Sequence, residues 1–100
     1  MKALILAPFS PPVVERLKQS LEVIYESWTE TRRLLAAEEL IDRIQSQDIE
    51  ILVVEADFVF REVFEKAMKL KLVGACRGNV TQVDIAAATE HGVLVVNTPA

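Results

Sequence analysis

The sequence predicts an α/β fold, with a flavodoxin-like parallel sheet of five strands in the order 2-1-3-4-5 and helices on both faces. Short aliphatic runs alternate with segments whose apolar residues recur every three or four positions. The aliphatic runs are almost continuous, as expected of strands that are covered on both faces. A chain of 100 residues has room for five such strands in a single domain, residues 1–100.

The first third of the chain predicts a strand, a helix, a second strand and a loop. Residues 2–7 are apolar apart from Lys2 and predict the first strand, and Ser10 ahead of a proline is a good helix start. Four apolar residues then recur at helical spacing: Val13, Val14, Leu17 and Leu21. Residues 22–25 form a short second strand. Residues 27–33 are polar apart from Trp28 and include three charged side chains, which predicts a loop. Trp28 within it either covers an edge or makes an intermolecular contact.

The middle third predicts a helix, a strand and another helix. Residues 35–46 carry a stripe of four apolar residues: Ala37, Leu40, Ile41 and Ile44. Residues 49–54 are nearly all aliphatic and form the third strand, which Glu55, Ala56 and Asp57 terminate. The following helix has five residues in its predicted apolar stripe: Phe60, Val63, Phe64, Ala67 and Met68.

The last third predicts a strand, a polar loop, a helix and a strand. Residues 70–75 are the fourth strand, and residues 76–80 form a loop that contains one Gly and one Asn. Asp84 occupies the N-cap position of the next helix, and Gly92 occupies the position of a C-cap glycine. Residues 93–96 are the fifth strand. This unit is the most informative part of the chain because of its unusual loop.

Charge and cysteine content limit the classes of partner. The net charge is −4 and the pI about 5.0, which argues against a nucleic-acid partner or an anionic membrane surface. No stretch approaches the roughly 20 apolar residues of a membrane span. The single cysteine, Cys76, forms no internal disulfide, which fits a reducing cytoplasm. We therefore expect a cytoplasmic protein with a small-molecule ligand.

The loops after the first, third and fourth strands predict the position of a ligand site. Ligands of doubly wound sheets bind beyond the carboxyl ends of the strands. In the loop of residues 76–80, backbone N–H groups can converge on an anion, and Arg77 adds a bidentate donor for a carboxylate or a phosphate. The loop therefore suggests a small ligand that carries a carboxylate.

A structural interpretation of the same residues remains open. Gly78 and Asn79 would then only turn the chain, and Arg77 would pair with Glu55 or Asp57. Glu55 itself either orients a substrate hydroxyl or serves as that partner of Arg77.

Other signatures of chemistry are missing from the sequence. It has no Gly-x-Gly-x-x-Gly motif, no phosphate-binding Gly-Lys-Thr loop, no cluster of metal ligands and no nucleophile–base pair. Cys76 has no accompanying histidine motif and is interpreted as a small packed thiol. His91 falls at a helix C-terminus, where its cationic form suits the helix dipole.

Residues 70–99 resemble the D-isomer-specific 2-hydroxyacid dehydrogenase family, and most of all its D-3-phosphoglycerate dehydrogenase branch. The resemblance lies in the Leu-Lys-Leu-Val-Gly strand, the Val-Asp pair, the Ala-Ala-Thr helix, the Gly-Val-Leu-Val-Val strand and the closing Asn-Thr-Pro. It is dense over about the last 30 residues, and the order of strands and helices agrees across the whole chain.

This resemblance implies that the chain is the amino-terminal part of a substrate-binding domain. In the family an NAD-binding Rossmann domain is inserted after the Asn-Thr-Pro segment, so that domain would follow residue 100. Asn97, Thr98 and Pro99 would form the hinge. The catalytic Arg, Glu and His of the family come from the later part, so this chain alone would not transfer hydride. The complete protein would be a homodimer that uses NAD, or NADP, on a 2-hydroxy acid.

The family also implies a role for the loop after the fourth strand. Backbone amides there hold the substrate carboxylate, and four positions match: Arg77, Gly78, Asn79 and Val80. Phosphoglycerate enzymes commonly show Arg-Ala-Gly-Val-Gly at this place, whereas the arginine here is displaced by two positions. They often show Arg-Ser after the third strand, where this chain has Glu55, whose carboxylate disfavours a phosphate.

Two other functions were considered. Some relatives in the family bind partners without turning over metabolites, so a ligand-sensing or corepressor-like module is the alternative. A phosphoacceptor receiver domain shares the sheet order, but it needs paired acidic residues after the first strand and a lysine after the fifth. Residues 8–10 and 97–99 provide neither.

Overall fold

Five parallel strands form one sheet in the order β2-β1-β3-β4-β5, as the sequence predicts, in a computed structural model that describes residues 1–78 and 80–98. The strands are β1 (Lys2–Ile5), β2 (Glu22–Tyr25), β3 (Ile51–Val54), β4 (Leu72–Ala75) and β5 (Leu94–Asn97). The helices are α1 (Pro11–Lys18), α2 (Trp28–Thr31), α3 (Ala37–Ser46), α4 (Arg61–Lys66) and α5 (Ile85–Glu90). The fold class is confirmed.

Three of the strands, β1, β3 and β4, are shorter than the aliphatic runs that predict them. Ile49, for example, is fully buried, but its N–H donates to the carbonyl of Ile44 at 3.0 Å and closes the end of α3. Asp48 beside it adopts a positive φ of 54° to make that turn. An aliphatic run therefore predicts which residues are buried, but it does not predict at which residue the pairing with a neighbouring strand begins.

Helix α2 lies in residues 27–33, where the sequence predicts a loop, so that prediction is wrong. Ser27 caps it, because its Oγ accepts a hydrogen bond from the Thr29 N–H at 3.3 Å. Arg32, at φ 59°, ends it in the left-handed conformation and donates its N–H to the Trp28 carbonyl at 2.8 Å. A single turn of helix is too short to show a hydrophobic period, which explains why the pattern missed it.

Three members of the predicted apolar stripes are exposed instead of buried. Val13, Phe60 and Met68 are 45%, 46% and 80% exposed. Phe60 is the extended N-cap of α4 and Met68 lies beyond its end, so neither is on the helix face that packs. The remaining apolar positions of α3 and α4 are confirmed, since Leu40, Ile44, Val63 and Phe64 are at most 1% exposed.

The helices are distributed unequally between the two faces of the sheet. From β1 the chain first moves to β2 at one edge of the sheet, and from there it returns past β1 to β3, β4 and β5 towards the other edge. Because such crossovers are right-handed, α1 lies on one face of the sheet and α3, α4 and α5 lie on the other. Residues under the three helices, such as Leu52 and Val73, are completely buried. Val53, Gly74 and Val96 are neighbours on the opposite face, where Val96 is 46% exposed.

Candidate functional site

The three loops predicted to form the site lie at one edge of the sheet, because β1, β3 and β4 are adjacent and parallel. Between the ends of β3 and β4 lies an open cleft of about 330 Å³. It is lined by Trp28, Glu55, Ala56, Cys76 and Arg77. The structure thus brings Glu55 and Arg77, two of the residues predicted from the sequence, to one cleft.

Glu55 is fixed in this cleft by a residue that the sequence did not connect with it. Its Oε1 accepts a hydrogen bond from Trp28 Nε1 at 3.0 Å, and its backbone carbonyl accepts one from Gln82 Nε2 at 3.1 Å. Within residues 1–78 and 80–98, Oε2 has no partner and no ion pair joins Glu55 to Arg77. The structural interpretation of Glu55 as the partner of Arg77 is therefore wrong.

Asp57, the other suggested partner of Arg77, is also engaged elsewhere. It is 1% exposed, and its Oδ2 accepts a hydrogen bond from the Leu35 N–H at 2.9 Å. Its Oδ1 has no partner among the described residues, and burial raises the pKa of the carboxyl group above its ordinary value. Asp57 faces a small cavity of about 50 Å³ that Glu26 and Arg43 also line. Its contact with Leu35 fastens the segment before α3 to the end of β3.

The loop after β4 presents free amide groups. Cys76 donates its N–H to the Val54 carbonyl at 2.8 Å and thereby ends the pairing of β3 with β4. Beyond it, within the described part of the chain, the N–H groups of Arg77 and Gly78 make no hydrogen bond. The Arg77 side chain is exposed and has no ion-pair partner there. Asn79 lies outside the described residues, and Val80 packs partly against the core.

Asn97, predicted as a hinge residue, holds the carbonyl side of this loop. Its Nδ2 donates to the carbonyls of Arg77 and Gly78 at 3.3 and 3.5 Å. Asn97 is the last residue of β5 and lies opposite Ala75, the last residue of β4, so the predicted sheet order already brings it near the loop. Thr98 donates its N–H to the Ala75 carbonyl at 3.2 Å, and Pro99 lies outside the described residues.

Cys76 is not a poised nucleophile. Burial, together with the charge of Glu55, raises the pKa of its thiol above the ordinary value. The thiol therefore stays protonated near neutral pH, in agreement with its interpretation as a packed side chain.

No helix in residues 1–78 and 80–98 is long and apolar enough to cross a membrane. Nor do these residues bring together three His, Cys, Asp or Glu side chains that would hold a metal ion.

Comparison with known protein families gives a match over almost the whole chain. Residues 3–100 match the model of the catalytic domain of D-isomer specific 2-hydroxyacid dehydrogenases. The chain belongs to this family. The match covers every strand of the sheet, and it confirms the resemblance inferred from residues 70–99.

Relatives with known names agree with this assignment. The chain is 35% identical over 100 residues to the "Putative 2-hydroxyacid dehydrogenase YoaD" of Bacillus subtilis, covering 99% of this chain and 29% of the relative. It is 35% identical over 99 residues to the D-3-phosphoglycerate dehydrogenase of Methanocaldococcus jannaschii, covering 99% of this chain and 18% of that enzyme. The chain thus spans less than a third of the length of either relative.

Solved structures of the family share the fold. The NAD-bound 3-phosphoglycerate dehydrogenase of Entamoeba histolytica superimposes with a TM-score of 0.72 at 22% identity, over 99% of this chain and 33% of the enzyme. The D-lactate dehydrogenase of Escherichia coli gives the same TM-score at 21% identity, over 100% of this chain and 31% of the enzyme.

Proposed function

We propose that this chain is the substrate-binding part of an NAD-dependent oxidoreductase that interconverts 2-keto acids and D-2-hydroxy acids. The substrate carboxylate binds to the loop formed by Arg77, Gly78, Asn79 and Val80. The remainder of the complete protein supplies the cofactor and the groups that transfer hydride and a proton.

The free amide groups of Arg77 and Gly78 are the observation that carries this proposal. Neither N–H has a hydrogen-bond partner within residues 1–78 and 80–98, while Asn97 donates to the carbonyls of the same two residues. Unpaired N–H groups next to an arginine side chain form a suitable receptor for an anion. The membership of the chain in a family of 2-hydroxyacid dehydrogenases supports the carboxylate of a 2-keto or 2-hydroxy acid as that anion.

The cofactor does not fit a site within this chain. A dinucleotide is bound by a glycine-rich turn between a strand and a helix, where backbone N–H groups meet the pyrophosphate. The three glycines here are Gly74 inside β4, Gly78 in the anion loop and Gly92 after α5, and they form no such turn. When bound by the rest of the protein, the nicotinamide would accept or donate the hydride; the residues of this chain only hold and orient the acid.

An arginine substitution in the complete protein tests the proposal. Arg77→Ala removes a charge-assisted hydrogen bond, so KM for a 2-keto acid should rise about 10- to 100-fold, with the affinity for NADH unchanged. Arg16→Ala, an exposed arginine on α1, is the matched control and should leave both constants unaltered. If the unmodified complete protein reduces no 2-keto acid with NADH or NADPH, the proposed function is wrong.

A further inference from the structure

We propose that Glu55, positioned by Trp28, selects substrates that carry a hydroxyl group on the carbon next to the keto group, and that it rejects phosphorylated ones. The proposal rests on the proposed function, because it takes the substrate carboxylate to lie on the loop after β4. It identifies a specificity-determining residue, Glu55, and a positioning residue, Trp28.

The register of the sheet places Glu55 within reach of a small acid held by this loop. Val54 and Ala75 are paired across β3 and β4, and neighbouring strands lie about 4.8 Å apart. Glu55 is one residue beyond this pair, and Arg77 is two residues beyond it. A three-carbon acid that binds its carboxylate near the Arg77 amide therefore brings its third carbon close to Glu55.

The hydrogen bonds of Glu55 define what it can recognise. Oε1 is committed to Trp28 Nε1 at 3.0 Å, whereas Oε2 has no partner among residues 1–78 and 80–98. An ionised carboxylate only accepts hydrogen bonds, so Oε2 favours a hydroxyl donor on the substrate. The same oxygen repels a phosphate, because two anions would then share one cleft.

Trp28 also separates this cleft from a larger apolar cavity. That cavity, of about 510 Å³, shares Trp28 and Ala56 with the cleft and is lined on its far side by Arg32 and Arg33. Arg33 forms an ion pair with Glu39, which leaves Arg32 as the charge available to a longer anionic tail. A preference for a dianionic substrate would mean that the tail passes Trp28 and reaches Arg32 instead of meeting Glu55.

The test uses the complete protein with reduced cofactor and three 2-keto acids that differ only at the third carbon. Pyruvate has no donor there, hydroxypyruvate has a hydroxyl and 3-phosphohydroxypyruvate has a phosphate. We expect kcat/KM for hydroxypyruvate to exceed that for pyruvate by about 10- to 100-fold, as for a hydrogen bond to a charged group. The phosphorylated acid should be the poorest of the three. Equal values for the first two acids, or the highest value for the phosphorylated acid, would overturn the proposal while leaving the proposed function intact. If none of the three is reduced, the role of Glu55 is overturned, and the proposed function is overturned as well only when no other 2-keto acid is reduced either.

Three variants assign the selectivity to the named residues. Glu55→Gln retains an acceptor for Trp28 but loses the charge. The ratio of kcat/KM for hydroxypyruvate to kcat/KM for pyruvate should therefore fall about tenfold, and kcat/KM for 3-phosphohydroxypyruvate should rise. Trp28→Phe removes the hydrogen bond that fixes Glu55, so the ratio of kcat/KM for hydroxypyruvate to kcat/KM for pyruvate should fall. Glu62→Gln, an exposed carboxylate on α4, is the matched control. A ratio that stays unchanged in Glu55→Gln would overturn the assignment.

Discussion

Glu55 and Asp57 are both carboxylates at the carboxyl end of β3, yet their surroundings give them different roles. Glu55 faces an open cleft and is held by the Trp28 side chain, and one of its carboxylate oxygens has no partner in the described part of the chain. Asp57 is 1% exposed, holds the backbone of Leu35 and has a raised pKa. Although the two residues are only two positions apart, Glu55 is placed to contact a ligand, whereas Asp57 stabilises the fold.

The different contacts of Asp57 and Glu55 show how the fold positions the side chains of the cleft. Asp57 secures the segment that follows α2, and α2 carries the Trp28 that fixes Glu55. Asp57 thus acts on the cleft only through the backbone, whereas Glu55 lines it. Substitutions of Asp57 should therefore change mainly the stability of the protein, whereas substitutions of Glu55 should change mainly the recognition of substrate.

Replacing each carboxylate with alanine should produce the largest contrast. Asp57→Ala removes a buried side chain and leaves the part-buried Leu35 N–H without its acceptor, so the free energy of unfolding should fall by about 2–3 kcal/mol. Glu55→Ala loses only the half-buried bond to Trp28 and should cost about 1 kcal/mol. Urea denaturation of the two variants measures both values. Equal losses would show that Asp57 has no special structural role.

The bond between Trp28 and Glu55 should appear as a coupling energy. In a double-mutant cycle with Trp28→Phe and Glu55→Ala, the two losses of unfolding free energy should be non-additive by about 1 kcal/mol. The second side chain has no bond left to lose once the first has been replaced. Additive losses would indicate that the hydrogen bond contributes nothing to stability.

The raised pKa of Asp57 predicts a dependence of stability on pH. The folded protein holds this proton more tightly than the unfolded chain does. The free energy of unfolding therefore falls as the pH rises from the ordinary aspartate pKa through the raised value. Asp57→Asn cannot ionise and should lack this decline. Thermal melts of both proteins across the acidic range provide the test, and parallel curves would contradict it.

The ion pair of Glu26 should make the free energy of unfolding change with pH in the opposite direction to Asp57, and its effect should be the smallest of those predicted. Its hydrogen bond with Arg43 lowers the pKa of Glu26, so the stability it contributes is present above its ordinary pKa and is lost as the pH falls through the lowered value. Because the Glu26 side chain is 40% exposed, Arg43→Gln should cost no more than about 1 kcal/mol at neutral pH. The cost should vanish in acid; a cost that grows there would be inconsistent with this ion pair.

The sequence was sufficient for the sheet order and for the position of the cleft. Aliphatic runs located all five strands, and Asp84 was correctly predicted as the cap of α5, where it accepts the Ala87 N–H at 2.9 Å. Both follow from local patterns of polarity and from the rule that ligands meet the carboxyl ends of parallel strands.

The partners of the two carboxylates could not be predicted in the same way. Trp28 lies 27 residues before Glu55, and Leu35 lies 22 residues before Asp57, so no local pattern connects them. The four-residue helix α2 that positions Trp28 shows no hydrophobic period either. The contact of Asn97 with the loop after β4 could have been predicted from the sequence, since the predicted sheet order places the ends of β4 and β5 side by side.

A crystal structure of the complete protein with NADH and oxamate, an unreactive analogue of pyruvate, would test the central claim most directly. One carboxylate oxygen of oxamate should lie about 2.7–3.1 Å from the amide nitrogen of Arg77 or Gly78. A carboxylate bound at Arg32 in the neighbouring cavity, with both loop amides unoccupied, would contradict the assignment of this loop as the substrate-carboxylate site.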